Sequence, residues 1–335
     1  MTEPQPPVAP AAVPARAHRS VAGVLADDAT VLAGGSARGL WRETWRQLRR
    51  NRAALAGLVF LGLMALGALG ADVLAPYPYW EQDPAVIRQG PSVQHWLGTD
   101  ELGRDVLSRL LYGARISLAV GVIVQLLILL LGVPVGALAG YYGGWFDTLL
   151  MRAVDVLYSI PDLLLVIVVM STVRATLAAG GALSGLAAVD AAFGGLLGVF
   201  VALALTSWLT VARLVRGQVL HWKTREFVEA ARALGASTPR LLTVHLLPNT
   251  LAPVVVAATF GIPHAILLEA SLSFLGLGVQ APVPSWGAMI LEGYKAMRAQ
   301  PHLLIAPAAA LSLTVLSCNF LGDGLRDALD PWLRR

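Results

Sequence analysis

Charge is what this sequence has least of. Asp, Glu, Lys and Arg make up 14% of the 335 residues, where a soluble domain carries about 25%. With 56% hydrophobic residues and a mean hydropathy of +0.65, too little polar side chain remains to cover a water-exposed globule. The composition is that of an integral membrane protein. Lysine is nearly missing, Lys223 and Lys295 being the two present. No G-x-x-x-x-G-K-[ST] loop occurs, so the chain does not hydrolyse ATP through a phosphate loop of its own. The single cysteine, Cys318, excludes an internal disulfide and lies in an apolar run as a small packing residue. No HExxH is present, GALSG at 181–185 lacks the G-x-S-x-G spacing, and Asp155 and Asp323 lack the flanking motif of an intramembrane aspartyl pair. Nothing here reads as an enzyme. No apolar core of a signal peptide appears in the first forty residues, which are Pro, Ala and Gly with scattered charges and read as a disordered tail.

What the chain does have is long apolar runs. Crossing a bilayer as a helix takes ~20 mostly apolar residues. Runs at 53–71, 116–140, 191–212, 250–268 and 303–321 carry no charge and approach or exceed that length. A sixth, 149–173, holds Arg152, Asp155 and Asp162 in its first half and is still counted as a span, because a segment that failed to cross would invert everything after it. The glycine-rich stretch 175–189 is too short to count. Prolines at 134, 161, 253, 263 and 307 punctuate the runs and predict kinked helices.

Orientation follows the basic residues. With six spans and the N-terminus inside, eighteen of the 25 Lys and Arg fall on the cytoplasmic side and seven outside. The fold expected is therefore all-α and integral to the membrane, with six transmembrane helices and both termini in the cytoplasm. Its parts are a disordered cytoplasmic tail over 1–40, an interfacial amphipathic helix over 41–52 and a first transmembrane helix over 53–75. An extracytoplasmic loop over 76–113 follows, then a core over 114–325 with five transmembrane helices, and a cytoplasmic tail over 326–335. In the segment 41–52, Trp41, Trp45 and Leu48 share one helix face and arginines surround the rest, which places the tryptophans at headgroup depth and the arginines toward anionic membrane lipid.

The cytoplasmic loop 213–249 contains EAARALGAS at 229–237. Phe227, Ala230 and Leu234 form one face of a helix there, and Arg225, Glu229 and Arg232 the other. Gly235 ends that helix in the left-handed conformation. Ser237 or Thr238 caps a second helix, RLLTVHLL, with Pro239 in its first turn and Pro248 closing it. The pattern superficially matches a DNA-binding helix-turn-helix. Its second helix, however, offers Arg240, Thr243 and His245 among leucines, too few polar groups to read bases, and there is no third helix. Nucleic acid is not expected as a partner. A docking element for another protein is.

The spacing Glu229-Ala230-Ala231, three residues, Gly235, then Leu247-Pro248 resembles the EAA loop of ABC importer permeases. His245 stands where the general pattern has Ile, a departure usual in the peptide and nickel branch. HWLGTDELGRDVLSRLLYGARISL (95–118), EASLSFLGLGVQAPVPSWGAMI (269–290) and NFLGDGLRDALDP (319–331) are similar to that branch as well. The resemblance implies a bacterial, multi-pass cytoplasmic-membrane protein with the type I ABC importer permease fold. It further implies that the chain binds no cofactor, ATP and Mg being used by a partner ATPase. The partners implied are a second homologous permease, two ATP-binding subunits and an extracytoplasmic solute-binding protein. Its solute would be a peptide, nickel, glutathione or a related small molecule. A secondary transporter driven by an ion gradient fits the composition equally well, but the internal repeats expected of one are not found.

The remaining polar positions are weighed separately. Gly98, Asp100, Gly103, Arg104 and Asp105 form an extracytoplasmic motif, with Asp100 able to cap a helix and Asp105 placed to pair with Arg109 at i, i+4. The calcium-loop order of ligands is missing from Asp100, Glu101 and Asp105, and no metal is expected. Arg152 and Asp155, three apart, read as a neutralising pair. Glu269, followed by Ser271 and Ser273, lies deep in an apolar run and is read either as a substrate-pathway residue or as one side of an interhelical hydrogen bond.

Overall fold

The structure is a computed structural model and describes residues 37–179, 184–192 and 194–329. Most of the tail expected over 1–40, and the last six residues of the tail expected over 326–335, lie outside that description. Among the described residues helices are the regular structure, apart from one isolated bridge between Thr99 and Asp105, and the stretches 75–105 and 275–285 are mainly turns and loops. Helix α1 (Ala37–Leu48) carries an exposed Arg46–Glu43 pair at 2.8 Å. It stops at Leu48 because Asn51 caps the next helix, its Oδ1 accepting the Ala54 amide at 3.1 Å.

Five helices are long and apolar enough to cross a membrane: α2 (Arg52–Leu69), α4 (Val106–Tyr142), α8 (Leu196–Trp222), α11 (Leu247–Phe274, entered through residues from Thr238) and α13 (His302–Leu329). A short α3 (Ala71–Leu74) follows α2. The sixth expected span is a bent pair, α5 (Gly144–Tyr158) and α6 (Asp162–Ala178), turned by 95° at residues 159–161. Pro161 is thus a break and not a kink. It has no amide hydrogen to continue α5, and its extended ψ of 129° starts α6 in a new direction. Pro134, Pro253, Pro263 and Pro307 lie inside helices that continue past them.

The bent pair still counts as one crossing. At its start Asp147 accepts two bonds from Arg216, at 2.5 and 2.6 Å, near the end of α8. Close to its end Arg174 donates to the Gly278 carbonyl at 2.5 Å, beyond α11. Those two places are opposite ends of the bundle. Lys223 joins the end of α8 to the Gly140 carbonyl of α4 at 2.8 Å, and the Gln280 amide joins the segment after α11 to Gly194, before α8, at 2.9 Å. By alternation the start of α2, the loop 213–249 and the end of α13 share one end. The stretch 175–189 adds no crossing, since α7 (Ser184–Ala192) has nine residues.

Glycine sets how closely the spans approach. Gly132, Gly136 and Gly140 recur every four residues on α4 and face the backbone of α8. A Cβ at 132 or 140 would lie 2.9 Å from the Trp208 or Arg216 carbonyl, and one at 136 would overlap the Ala212 carbonyl. In hydrocarbon there is no hydrophobic force between helices, so this small-residue contact and the dispersion it permits hold α4 to α8. The main core forms around it from Val120, Val124, Leu203, Val211, Val215 and Val219.

Candidate functional site

The loop between α8 and α11 is built on a second set of restraints. Helix α9 (Glu226–Ala233) buries Val228 and packs Ala231 on the cluster containing Leu241 and Leu246. Its outer surface leaves Phe227, Ala230 and Leu234 exposed, Leu234 at 89%, with Arg225, Glu229 and Arg232 exposed beside them. That is an apolar patch with a charged rim, left uncovered by the described residues apart from the Trp222 ring beside Phe227. Gly235 closes the helix at φ +84°, and the Ala236 amide reaches back to the Ala231 carbonyl at 3.0 Å.

After Gly235 the chain does not form the separate helix expected. Ser237 leads α10 (Thr238–Arg240), which widens into a π turn over Leu241–Leu246 and runs without a stop into α11. The Leu247 amide donates to Leu242, five residues back. In an α-helix the ring of Pro248 would strike the carbonyl of Val244. The wider turn relieves that clash, so Pro248 opens α11 and does not end its predecessor. His245 is half-buried, and its carbonyl accepts the Asn249 side-chain amide at 2.6 Å. Leu247 packs against the main core. The loop is also fastened to α4, where Tyr141 and Thr238 share a hydrogen bond of 3.2 Å. Helix α9 is thus packed on the turn that opens α11, and that turn is bonded to α4.

The opposite end holds a buried charge cluster. Gly98 and Gly103 sit at φ +77° and +75°, where a Cβ would strike the Gln89 and Asp83 carbonyls. Asp100 caps its own turn, its Oδ1 accepting the Leu102 and Arg104 amides at 2.8 and 3.0 Å. Its other oxygen accepts Arg104 Nε at 2.7 Å and Arg109 Nη1. Both arginines reach Glu292 on α12 (Trp286–Ala296), Arg109 Nη2 at 3.0 Å. The expected Asp105–Arg109 pair does not form. Asp105 is the N-cap of α4, accepting the Ser108 amide at 2.8 Å, and its second oxygen lies 3.0 Å from His95 Nδ1. The cap, which aims the carboxylate back at its own amides, takes it off the helix face that Arg109 occupies. Neither His95 nor Glu292 is singled out by the sequence: a tight loop of ten residues returns His95 to Asp105, and Glu292 comes from 183 residues beyond Arg109. These carboxylates face cations and amides, an arrangement that ties α4 to α12.

Within the spans, Glu269 is fully buried. Its partners are Ser273 on its own helix, donating at 2.7 Å, and Ser117 on α4 at 3.5 Å, whose hydroxyl also receives the Trp286 amide at 3.3 Å. Ser273, one turn on in the same helix, is the nearer of the two. The short bond is within its own helix, and the contact across to α4 is long for a hydrogen bond. Ser271 bonds its own helix, to the Leu267 carbonyl at 2.8 Å. Arg152 and Asp155 do not pair as expected. Asp155 lies 3.8 Å from Arg213 instead, because α8 brings Arg213 over the Tyr158 ring, 3.9 Å from its centroid. Arg152 lines a cavity of about 300 Å³ with Asp155, Arg213 and Arg216. A larger cavity, about 690 Å³, opens at the α5–α6 break and is lined by Gln125, Tyr158, Asp162, Ser207, Phe260 and His264 among others. Of these residues the sequence marked Asp162 alone, as a charge in the sixth apolar run, although His264 inside an apolar stretch is an equally visible signal.

Comparison with known proteins accords with this architecture. The family described as binding-protein-dependent transport system inner membrane component matches residues 132–335. The N-terminal TM domain of oligopeptide transport permease C matches residues 39–91. The chain is 40% identical over 296 residues to the oligopeptide transport system permease protein OppC of Bacillus subtilis, covering 88% of this chain and 91% of that one. It is 44% identical over 295 residues to the dipeptide transport system permease protein DppC of Bacillus subtilis, covering 88% and 86%. To the glutathione transport system permease protein GsiD of Pectobacterium atrosepticum it is 43% identical over 302 residues, covering 89% and 93%.

Proposed function

The chain belongs to the binding-protein-dependent transport system inner membrane components, and from that membership we propose that it carries short peptides through the pathway it forms with a second, homologous permease. It is a permease subunit of an ABC importer, a multi-pass protein of the cytoplasmic membrane, and ATP hydrolysis belongs to separate subunits. Two ATP-binding subunits drive the cycle, and an extracytoplasmic binding protein delivers the solute. Both termini face the cytoplasm, in keeping with the distribution of basic residues.

One observation carries the reading. The loop 213–249 presents Phe227, Ala230 and Leu234 uncovered, within a rim of Arg225, Glu229 and Arg232, while its inner face is locked to α4, α8 and α11. An apolar centre with a charged rim fits a groove on a soluble partner, and the continuous helix from Thr238 to Phe274 gives that partner a lever on the pathway. The relatives' names support peptides as solute. Nickel, which the motifs left open, has no support among them. Nor does any observation favour the ion-coupled alternative.

The test is reconstitution with the partner permease, the ATPase subunits and the binding protein in liposomes. Uptake of labelled trialanine should require ATP and the binding protein. Uptake driven by a proton or sodium gradient without ATP would overturn the reading.

A further inference from the structure

The 690 Å³ cavity at the α5–α6 break is unusual for its depth and its lining. Gln125, Ser207 and His264 each lie near the middle of a long spanning helix, so the cavity sits far from both ends of the bundle. Gln125 is 4% exposed, yet its Nε2 has no partner among the described residues. The same is true of the buried Ser207 hydroxyl. Gly261 lies against the Gln125 amide, an approach that any Cβ at 261 would block. Asp162 Oδ2 lies 3.0 Å from His264 Nε2, and its Oδ1 takes no bond among the described residues. Both side chains are about half exposed. A carboxylate exposed at this depth does not face lipid, since charge in hydrocarbon is strongly disfavoured; it faces a cavity that holds water or solute. The volume lies within the ~300–1,000 Å³ of small-ligand sites.

We propose that this cavity is a transit site for the amino-terminal end of an extended peptide, in which Asp162 takes the α-ammonium while Gln125 and Ser207 bond the backbone amides. The inference rests on the peptide-import reading and adds to it a site within the chain. A primary amide and a hydroxyl match the donor and acceptor of a peptide unit and are indifferent to side chains. Ile128, Leu165 and Phe260 supply apolar walls without selecting a residue type. The polarity of the route fits a peptide with free termini. Asp162 lies in this cavity, and Tyr158, at its edge, is stacked under Arg213, which also lines the smaller cavity with Arg152 and Arg216. Of these, Arg216 is held by Asp147 and Arg213 lies by Asp155, so the carboxylate end is directed toward Arg152.

The experiment uses the full complex in liposomes, with the binding protein unaltered so that delivery is constant. Asp162→Asn should lower ATP-dependent uptake of labelled trialanine about tenfold and leave ATP hydrolysis stimulated by loaded binding protein within twofold of wild type. For a direct readout, Ser207→Cys is made in a Cys318→Ser chain and treated with a cationic methanethiosulfonate. Labelling during turnover should slow at least threefold when the binding protein carries trialanine. Wild-type uptake by Asp162→Asn, or labelling of Ser207→Cys that trialanine leaves unchanged, would overturn the site while wild-type uptake leaves the peptide-import reading standing. If Asp162→Asn does not assemble, the labelling result decides alone. Protection by nickel ion in place of trialanine would assign the Asp162–His264 pair to a metal and refute the proposal. A wild-type complex that hydrolyses ATP but accumulates no peptide would remove both readings together.

Discussion

Gly235 separates the backbone demand of the loop from its contacts. It sits at φ +84° with open space where a Cβ would point, so a substitution there meets no steric obstacle. The entire effect is conformational. An L-residue held in the left-handed region costs roughly 1–2 kcal/mol, least for Asn and most for a β-branched side chain. A shift of one or two kcal/mol is a factor of roughly 5–30 in an equilibrium. If only the capped form of α9 docks, the apparent affinity for the ATPase falls by the fraction of loops that remain capped. Association should therefore rank Gly235, then Asn, then Ala, then Val, with Gly235→Val weakened by about tenfold or more. Membrane insertion should be unchanged in all four, because the nearest spans are untouched. The assay is titration of detergent-solubilised permease pair with ATPase subunit, read beside ATP hydrolysis stimulated by loaded binding protein. Equal affinity for Gly235→Asn and Gly235→Val, or wild-type affinity for both, would refute the reasoning, because it would show that the left-handed cap is not what docking requires.

Three further outcomes are expected. Gly136→Leu places a side chain against the Ala212 backbone; overpacking of about 1–3 kcal/mol should abolish recovery of folded complex, whereas Gly217→Leu, in open space on the same helix pair, should leave it normal on size-exclusion chromatography. Glu269→Gln keeps one acceptor oxygen but sets an amide NH2 where the second carboxyl oxygen faces a serine hydroxyl; a mismatched polar contact of ~1 kcal/mol should lower the yield of complex and its melting temperature while uptake per folded complex stays near wild type. A reporter active only in the cytoplasm should work after Arg335 and fail within residues 282–299, and the reverse pattern would remove the six-span topology.

How far the sequence disclosed this protein varied with the range of the interaction. The spans and the docking loop rest on local signals: apolar length, a glycine after an amphipathic turn, and the spacing of Glu229, Gly235 and Pro248. These were legible. The fate of RLLTVHLL was not, because a π turn and an α turn differ by one residue per hydrogen-bond ring, and six residues of apolar periodicity do not distinguish them. Pro248 was read by its commoner role as a stop, when the π turn made it a start. The charge cluster failed differently. Arg109 had an acceptor four residues away in Asp105, but capping took that carboxylate, and Glu292, 183 residues distant, replaced it. Similarly, Asp155 went to Arg213 of α8 and not to Arg152. Local pairing rules name what a helix could do alone, and tertiary closure decides among the options. The cavity was least legible, since Gln125, Ser207, Asp162 and His264 come from four helices and share no sequence pattern.

The central claim is that the exposed face of α9 is where the ATPase engages. Ala230→Cys in a Cys318→Ser chain, carrying a benzophenone maleimide, tests it in membranes that contain the assembled complex. Illumination should join this chain to the ATPase subunit, while the same probe at Val93→Cys, exposed at the other end of the bundle, should not. A cross-link to the ATPase from Val93→Cys and none from Ala230→Cys would contradict the account.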